Sequence, residues 1–165
     1  MPLVISYHYD GDGGTYYRDG AEEIARACER LGLPYYVKEV NEAMDWISAV
    51  RYKPAFIRDV KCLFPYEDII FLDADCKLLR RPDFRLTKWG VMLRDDGTPH
   101  DFVHYIPAGY TSLLFLDKWV ANIGAFEDGS HSALLRVLDD FEVIPDGYFQ
   151  LVIADSPSKR NYFNS

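Results

Sequence analysis

The chain has 165 residues, a length that favours one domain, and a net charge of −8 from 18 basic and 26 acidic residues. Its 48% hydrophobic and 15% aromatic content is enough for a proper core, so disorder is not expected. The acidic balance disfavours an extensive nucleic-acid interface, which needs a basic face. The cysteines, Cys28, Cys62 and Cys76, have no metal-type spacing and predict buried thiols in a reducing compartment. We recognise no leader segment and no apolar run of membrane-spanning length, and therefore expect a cytoplasmic protein without a membrane span.

The first half of the chain predicts strands that alternate with helices. The predicted elements are, in order, a strand over 3–7, a helix over 16–31 ending at Gly32, a strand over 35–40, a helix beginning at Pro54 and a strand over 68–72. This alternation predicts a parallel sheet covered by helices. Ligands bind such sheets beyond the carboxyl ends of the strands. The loop after Tyr7 and the acidic residues after Leu72 are therefore expected at one edge.

The second half is less regular. Apolar runs predict strands over 91–93, 112–116 and 151–154. The segment that holds His100, Asp101 and His104 is predicted to be a loop between the first two of these strands. Ser130 is a plausible N-cap for a late helix that carries Ala133, Leu134, Val137 and Leu138. The whole pattern predicts an α/β domain with a mixed sheet flanked by helices.

The most informative segment is Leu72-Asp73-Ala74-Asp75 at the end of a buried strand. Side chains alternate along a strand, so Asp73 and Asp75 are expected to point the same way. Two such carboxylates repel each other unless a cation lies between them. Mg²⁺ or Mn²⁺ prefers oxygen ligands and also binds phosphate oxygens. The segment therefore predicts a metal–diphosphate site built from exposed carboxylates, and Asp73→Ala is expected to leave the fold nearly intact. The alternative is a strand that ends in a solvated acidic turn.

A longer series of motifs carries a family resemblance. It consists of a first loop with Thr15 and Tyr17, then Gly32-Leu33, Trp46, Lys53-Pro54-Ala55-Phe56-Ile57 and Phe71-Leu72-Asp73-Ala74-Asp75. Over about residues 3–83 this order resembles the nucleotide-sugar half of GT-A fold glycosyltransferases, most of all small bacterial and phage-type members. The later segments 132–138, 143–148 and 152–160 are similar to the family's late helix, its leucine-proline-x-x-tyrosine turn and the C-terminal segment that closes on the diphosphate. The resemblance implies one GT-A-like (Rossmann-like) domain over 1–165, with a donor half over about 1–83 and a shortened acceptor half over about 84–165.

The resemblance also implies an activity and the residues that carry it. The activity is metal-dependent transfer of a sugar from a nucleotide-diphosphate donor to a hydroxyl acceptor. The residues implied for the Mn²⁺ or Mg²⁺ ion are Asp73, Asp75 and Asp155. Those implied for the donor, through base stacking, ribose contacts and diphosphate pairing, are Tyr7, Tyr9, Asp10, Thr15, Tyr17, Lys53, Arg58, Lys159 and Arg160. Lys53 and Arg58 are candidates to neutralise either the acidic pair or the phosphate. Asp128 or Glu127, before the late helix, would be the catalytic base. Inverting and retaining chemistry both stay open.

Other functions remain alternatives at this point. A non-catalytic nucleotide-sugar or metal-binding module would explain the short second half and the missing acidic pair at the helix start. A nucleotidyltransferase is disfavoured because no cation follows the first strand until Arg18. Modified DNA bases are a possible acceptor for a phage-type enzyme, served by the cations Arg80, Arg81, Arg85, Lys88 and Arg94. We favour a glycan or protein hydroxyl, because the net charge opposes DNA binding. A second subunit could complete the acceptor site.

Overall fold

The computed structural model describes residues 1–9, 15–40, 46–124 and 130–152. The strands are β1 (Leu3–Tyr9), β2 (Tyr35–Val40), β3 (Ile69–Leu72), β4 (Cys76–Leu78), β5 (Gly90–Leu93), β6 (Pro99–Ile106), β7 (Glu142–Val143) and β8 (Phe149–Leu151). The helices are α1 (Tyr16–Leu31), α2 (Trp46–Arg51), α3 (Lys53–Leu63), α4 (Thr111–Asn122) and α5 (Ser130–Val137). Within these described ranges, every helix is too short or too polar to cross a bilayer.

The main sheet has the strand order β2-β1-β3-β6-β5-β7. Strand β1 is parallel to both β2 and β3, whereas β6 is antiparallel to β3 and β5, and β7 is parallel to β5. Strands β4 and β8 form a separate antiparallel pair. The predicted mixed sheet and the parallel order of the first three strands are thus confirmed. The carboxyl ends of β1, β2 and β3, at Tyr9, Val40 and Leu72, lie at one edge, which we call the site edge.

Each face of the sheet buries its own hydrophobic core. Helix α1 covers one face with Ile24 and Cys28, beside the β4–β8 pair. Helices α3, α4 and α5 cover the other face, where Phe56 and Trp119 are among the largest buried side chains. Strand β3 is buried along its whole length because it lies between these two layers, as its unbroken apolar sequence predicts. Cys62 is an exception to the expected buried thiols, since it is exposed on α3.

Two predicted elements of the second half are wrong. Residues 112–116 are not a strand but the beginning of α4, in which Ser112, Leu116 and Trp119 are buried at helical spacing while Leu114 is exposed. A short apolar run does not distinguish a buried strand from one face of a helix. The segment predicted as a loop, which includes Asp101, is strand β6. The final strand β8 pairs with β4 instead of joining the main sheet, and its predicted continuation at 153–154 lies outside the described residues.

Candidate functional site

The acidic pair lies in a tight turn at the site edge. Strand β3 ends at Leu72, and the Cys76 N–H donates to the Asp73 carbonyl at 2.9 Å, which closes a turn leading into β4. The alternation expected from a continuing strand therefore does not apply beyond Leu72. The side chain of Asp73 is only 21% exposed and Asp75 is buried. The prediction of exposed carboxylates is therefore wrong, and the reason for expecting Asp73→Ala to leave the fold nearly intact no longer holds.

Helix α1 is in direct contact with this turn. An added Cβ at Gly20, in the first half of the helix, would lie 1.9 Å from the carbonyl oxygen of Ala74. Real Cβ atoms do not approach a backbone oxygen this closely, so only glycine permits the observed distance. Ala74 is also buried. The position of the acidic turn is therefore set by its packing on α1 as well as by β3.

Asp73 is paired with a buried lysine from the first turn of α3. The Lys53 ammonium lies 2.9 Å from Oδ1 and 3.1 Å from Oδ2 of Asp73. It also donates to the backbone carbonyl of Asp101 at 2.6 Å and lies 3.4 Å from Oδ2 of the same residue. Lys53 is 4% exposed, which is rare for a lysine unless it is paired. The lysine therefore connects β3 to β6 directly beneath the acidic turn.

A chain of buried hydrogen bonds continues inward from Lys53. Asp101 Oδ1 is 2.9 Å from Nε2 of His104, and Asp101 Oδ2 accepts from the hydroxyl of Ser130, the first residue of α5. The indole N–H of Trp89 donates to Nδ1 of His104 at 3.0 Å. The five side chains of this network are all buried, namely those of Lys53, Trp89, Asp101, His104 and Ser130. The site is thus supported by one continuous polar network that crosses β6.

The charge states in this network follow from its contacts. Burial would raise the pKa of Asp101, but Lys53 and the His104 hydrogen bond outweigh it and hold that pKa below its usual range. Burial alone would lower the pKa of Lys53, but Asp101 and Asp73 together raise it. Burial lowers the pKa of His104. At neutral pH the network therefore contains the Lys53 ammonium, the ionised carboxylate of Asp101 and the neutral imidazole of His104.

Acidic side chains outnumber the ammonium in the described part of this cluster. Asp101, Asp73 and Asp75 each act electrostatically on Lys53 and raise its pKa, so three carboxyl groups lie around this ammonium in the part of the chain that the structure describes. Among residues 1–9, 15–40, 46–124 and 130–152 no group of three or more His, Cys, Asp or Glu side chains is placed to hold a metal ion. A metal here would take Asp73 and Asp75 and need further oxygen ligands, which is how Mg²⁺ commonly binds beside phosphates. The described residues would thus supply two oxygen-donor side chains and leave the other positions to the donor and to water.

Tyr7 lies next to the acidic cluster and is partly buried. Its ring packs edge-on against Tyr52 and Phe56, and its hydroxyl donates to the carbonyl of Ala49. Burial, and then the nearby Asp73 carboxylate, raise its pKa. These contacts engage both the ring and the hydroxyl, so Tyr7 packs the end of β1 against helices α2 and α3.

The remaining predicted donor residues are spread over several places. Tyr9 and Tyr17 are partly buried at the end of β1 and the start of α1, and the Thr15 hydroxyl donates to Asp19 at 3.1 Å. Arg58 is not brought to the acidic turn, because it pairs with Asp117 of α4 at 3.6 Å. The predicted residues that lie outside the described part of the chain are Asp10, Glu127, Asp128, Asp155, Lys159 and Arg160.

The basic residues after the acidic turn are engaged in contacts with other residues. Each has a partner within the chain: Arg80 lies over the Tyr148 ring, Arg81 contacts Met1, Arg85 pairs with Asp68, Lys88 with Asp140, and Arg94 contacts His131. The acidic partners offset part of the positive charge that a phosphate backbone would need. This arrangement gives no support to DNA as the acceptor.

Sequence reasoning missed the residues behind Lys53. It placed Asp101 and His104 in a loop, gave no role to Trp89 and considered Ser130 only as a helix N-cap. These residues contact partners far away along the chain: Trp89 and His104 are 15 residues apart, and Lys53 and Asp101 are 48 residues apart. The only local signal is a pair of polar residues three apart, just before the apolar end of β6, and that signal is common in loops.

Comparison with models of known protein families found no match, and comparison with curated protein sequences found none either. Solved structures do match. One is a crystal structure of a glycosyltransferase involved in the glycosylation of the major capsid of PBCV-1, with a TM-score of 0.72 and 12% sequence identity. The match covers 99% of this chain and 98% of the other. The described part of the chain therefore has the fold of that glycosyltransferase.

Proposed function

We propose that this protein is a metal-dependent glycosyltransferase that moves a sugar from a nucleotide-diphosphate donor to a hydroxyl acceptor. The observation that carries the proposal is the acidic turn with its buried counter-ion, at the carboxyl ends of three parallel strands in a glycosyltransferase fold. A turn that only ended a strand in solvent would not need a buried lysine beneath it.

The proposed metal ligands of this chain are Asp73 and Asp75, with Asp155 as a further candidate. When bound, Mn²⁺ or Mg²⁺ would neutralise charge on the diphosphate leaving group. Lys53 holds the Asp73 carboxylate in one orientation and offsets part of the repulsion between the acidic side chains. Gly20 lets α1 pack against the turn, so that the ligand carboxylates are fixed before the donor arrives.

The other donor contacts remain proposals from the resemblance. Tyr9, Tyr17 and Asp10 surround the end of β1, where an aromatic ring can stack on a nucleobase and a carboxylate can bind ribose hydroxyls. Lys159 and Arg160 are proposed to pair with the diphosphate. The proposed base that removes the acceptor proton is Glu127 or Asp128, which precede α5.

The proposed acceptor is a hydroxyl group of a glycan or a protein. The similar solved structure is of a glycosyltransferase involved in the glycosylation of the major capsid of PBCV-1, which supports an acceptor of this class over DNA. The net charge of −8 and the internal partners of the basic residues favour the same choice.

Calorimetric titration with uridine and guanosine diphosphate, with and without Mn²⁺, tests the proposed donor site. We expect binding that requires the metal and that Asp75→Asn weakens strongly. Asp140→Asn is the matched control, because Asp140 is an exposed carboxylate paired with Lys88, beside the outermost strand β7. It should bind as the wild type does. The proposed site would be refuted by nucleotide binding that does not depend on Mn²⁺, or by an equal loss of affinity in Asp75→Asn and Asp140→Asn.

A further inference from the structure

We propose that Trp89 and His104 are positioning residues, which hold Asp101 and through it Lys53 in the orientation that the Asp73 carboxylate requires. The expected effect on donor binding rests on the proposed glycosyltransferase function. The arrangement of the buried side chains does not depend on that function. Neither residue is proposed to touch donor, metal or acceptor.

The first step is the choice of imidazole tautomer. An indole N–H can only donate, so the contact of 3.0 Å from Trp89 makes Nδ1 of His104 an acceptor. The proton of the neutral ring must then be on Nε2, which points to Asp101 Oδ1 at 2.9 Å. His104 is fully buried and its ring packs against Trp119 at 5.1 Å between centroids, so it has no room to turn. Trp89 thereby fixes which nitrogen of His104 faces the carboxylate.

The second step is the orientation of the carboxylate. The N–H of His104 occupies one oxygen of Asp101, and the hydroxyl of Ser130 donates to the other. Ser130 is held as well, because its carbonyl accepts from the indole of Trp119 at 3.0 Å. Rotation of the Asp101 side chain would break both bonds in a region without solvent, where each unpaired polar group is costly. Asp101 is therefore a fixed anion.

The third step is the position of the ammonium. A lysine ammonium has three hydrogen atoms to donate. Lys53 donates hydrogen bonds to the Asp101 carbonyl and to Asp73 Oδ2, while Asp73 Oδ1 at 2.9 Å and Asp101 Oδ2 at 3.4 Å are its charge partners. The ammonium is therefore held between Asp101 and Asp73, and the position of Asp101 sets where it meets the Asp73 carboxylate. Buried ion pairs can often be replaced by apolar residues of similar volume without loss of stability, so we attribute this polar chain to the orientation that it imposes.

A ligand-free test uses the NMR signals of the His104 ring nitrogens and the Lys53 ammonium. In the wild type we expect Nε2 to carry the proton, and a Lys53 ammonium signal that exchanges slowly with water. Trp89→Phe should give a mixture of tautomers and faster exchange at Lys53. Phe115→Leu is the control, because Phe115 packs on Trp89 at 4.4 Å without joining the hydrogen-bond chain. An unchanged tautomer and unchanged Lys53 exchange in Trp89→Phe would overturn the proposal.

A second test measures the consequence at the site. Changing a residue that orients a metal ligand costs about 10–100-fold in metal affinity or activity. We therefore expect His104→Leu and Trp89→Phe to weaken Mn²⁺-dependent binding of uridine or guanosine diphosphate by about tenfold or more. His104→Gln, which keeps a donor and an acceptor, should recover most of the loss. The positioning role would be overturned if Trp89→Phe and His104→Leu, both folded, bound the nucleotide with the affinity of the wild type. If the wild type binds neither nucleotide, the glycosyltransferase proposal fails, while the ligand-free comparison still decides how Lys53 is held.

Discussion

Replacing Lys53 by methionine should destabilise the protein far more than the loss of an ordinary lysine. Methionine keeps most of the side-chain length but leaves Asp73 and Asp101 facing each other without their shared cation. The ammonium lies 2.9 Å from the nearest oxygen of Asp73 and 3.4 Å from that of Asp101. At an effective dielectric constant of about 20, a charge pair about 3 Å apart attracts with about 5 kcal/mol.

The expected loss is smaller than this attraction, because burial of the three charged groups has its own desolvation cost. Removal of one partner from a buried ion pair typically costs about 3–5 kcal/mol in free energy of unfolding. For a protein of this size that corresponds to a fall in Tm of about 6–20 °C, at about 2–4 °C per kcal/mol. Urea unfolding at pH 7, followed by tryptophan fluorescence, measures the free energy directly.

Two further variants show whether the buried charge causes the loss. Lys88→Met removes an exposed lysine paired with Asp140 and should change the free energy of unfolding by about 1 kcal/mol or less. The double variant Lys53→Met with Asp101→Asn should be more stable than the sum of the single changes predicts, because it removes an uncompensated carboxylate. A loss below about 1 kcal/mol for Lys53→Met, or strict additivity in the double variant, would refute the electrostatic account.

Gly20→Ala should displace the acidic turn, because the new Cβ would lie 1.9 Å from the Ala74 carbonyl oxygen; calorimetry should show weaker Mn²⁺-dependent nucleotide binding. Gly32→Ala is the control, since it strains a left-handed residue (φ 66°) that has open space around it, and its affinity should stay that of the wild type. The lowered pKa of Asp101 adds stability above about pH 4, where the unfolded carboxyl is ionised, and this contribution is lost as the pH falls through the native pKa. Urea unfolding between pH 6 and pH 3 should therefore show a flatter pH dependence for Asp101→Asn than for the wild type; parallel curves would contradict the assignment. Mobility-shift assays at low salt should show no steeply salt-dependent binding of duplex DNA, and micromolar binding of that kind would revive the DNA acceptor.

The parts of the fold that were predictable depend on local patterns. Helix α1 has an apolar stripe and ends at Gly32 in the left-handed conformation, so both its face and its end are visible in the sequence. The parallel strands followed from the alternation of helices and apolar runs. Helix α4 was mistaken for a strand because its apolar run from Leu113 to Leu116 is too short to show its period. Strand β6 was missed because polar residues lie within it.

Only the position of the acidic pair and one candidate counter-ion of the site were predictable from the sequence. The location of Asp73 and Asp75 at the site edge followed from the strand before them. The turn that follows Leu72 did not, because it depends on contacts with α1 and with the next strand pair. Lys53 was a candidate counter-ion and the structure places it against Asp73. The hydrogen bonds from Asp101 to Trp89 join distant segments through tertiary packing, and no spacing in the sequence marks them.

The most direct test of the central claim is release of nucleotide diphosphate from a panel of nucleotide sugars, with Mn²⁺ or with a chelator. We predict metal-dependent release from at least one donor, faster in the presence of a hydroxyl acceptor and abolished in Asp75→Asn, with Asp140→Asn unchanged. Donor binding without any release would instead identify a non-catalytic nucleotide-sugar module. Such a result, obtained with folded protein and across the common donors, would contradict the assignment of glycosyl transfer.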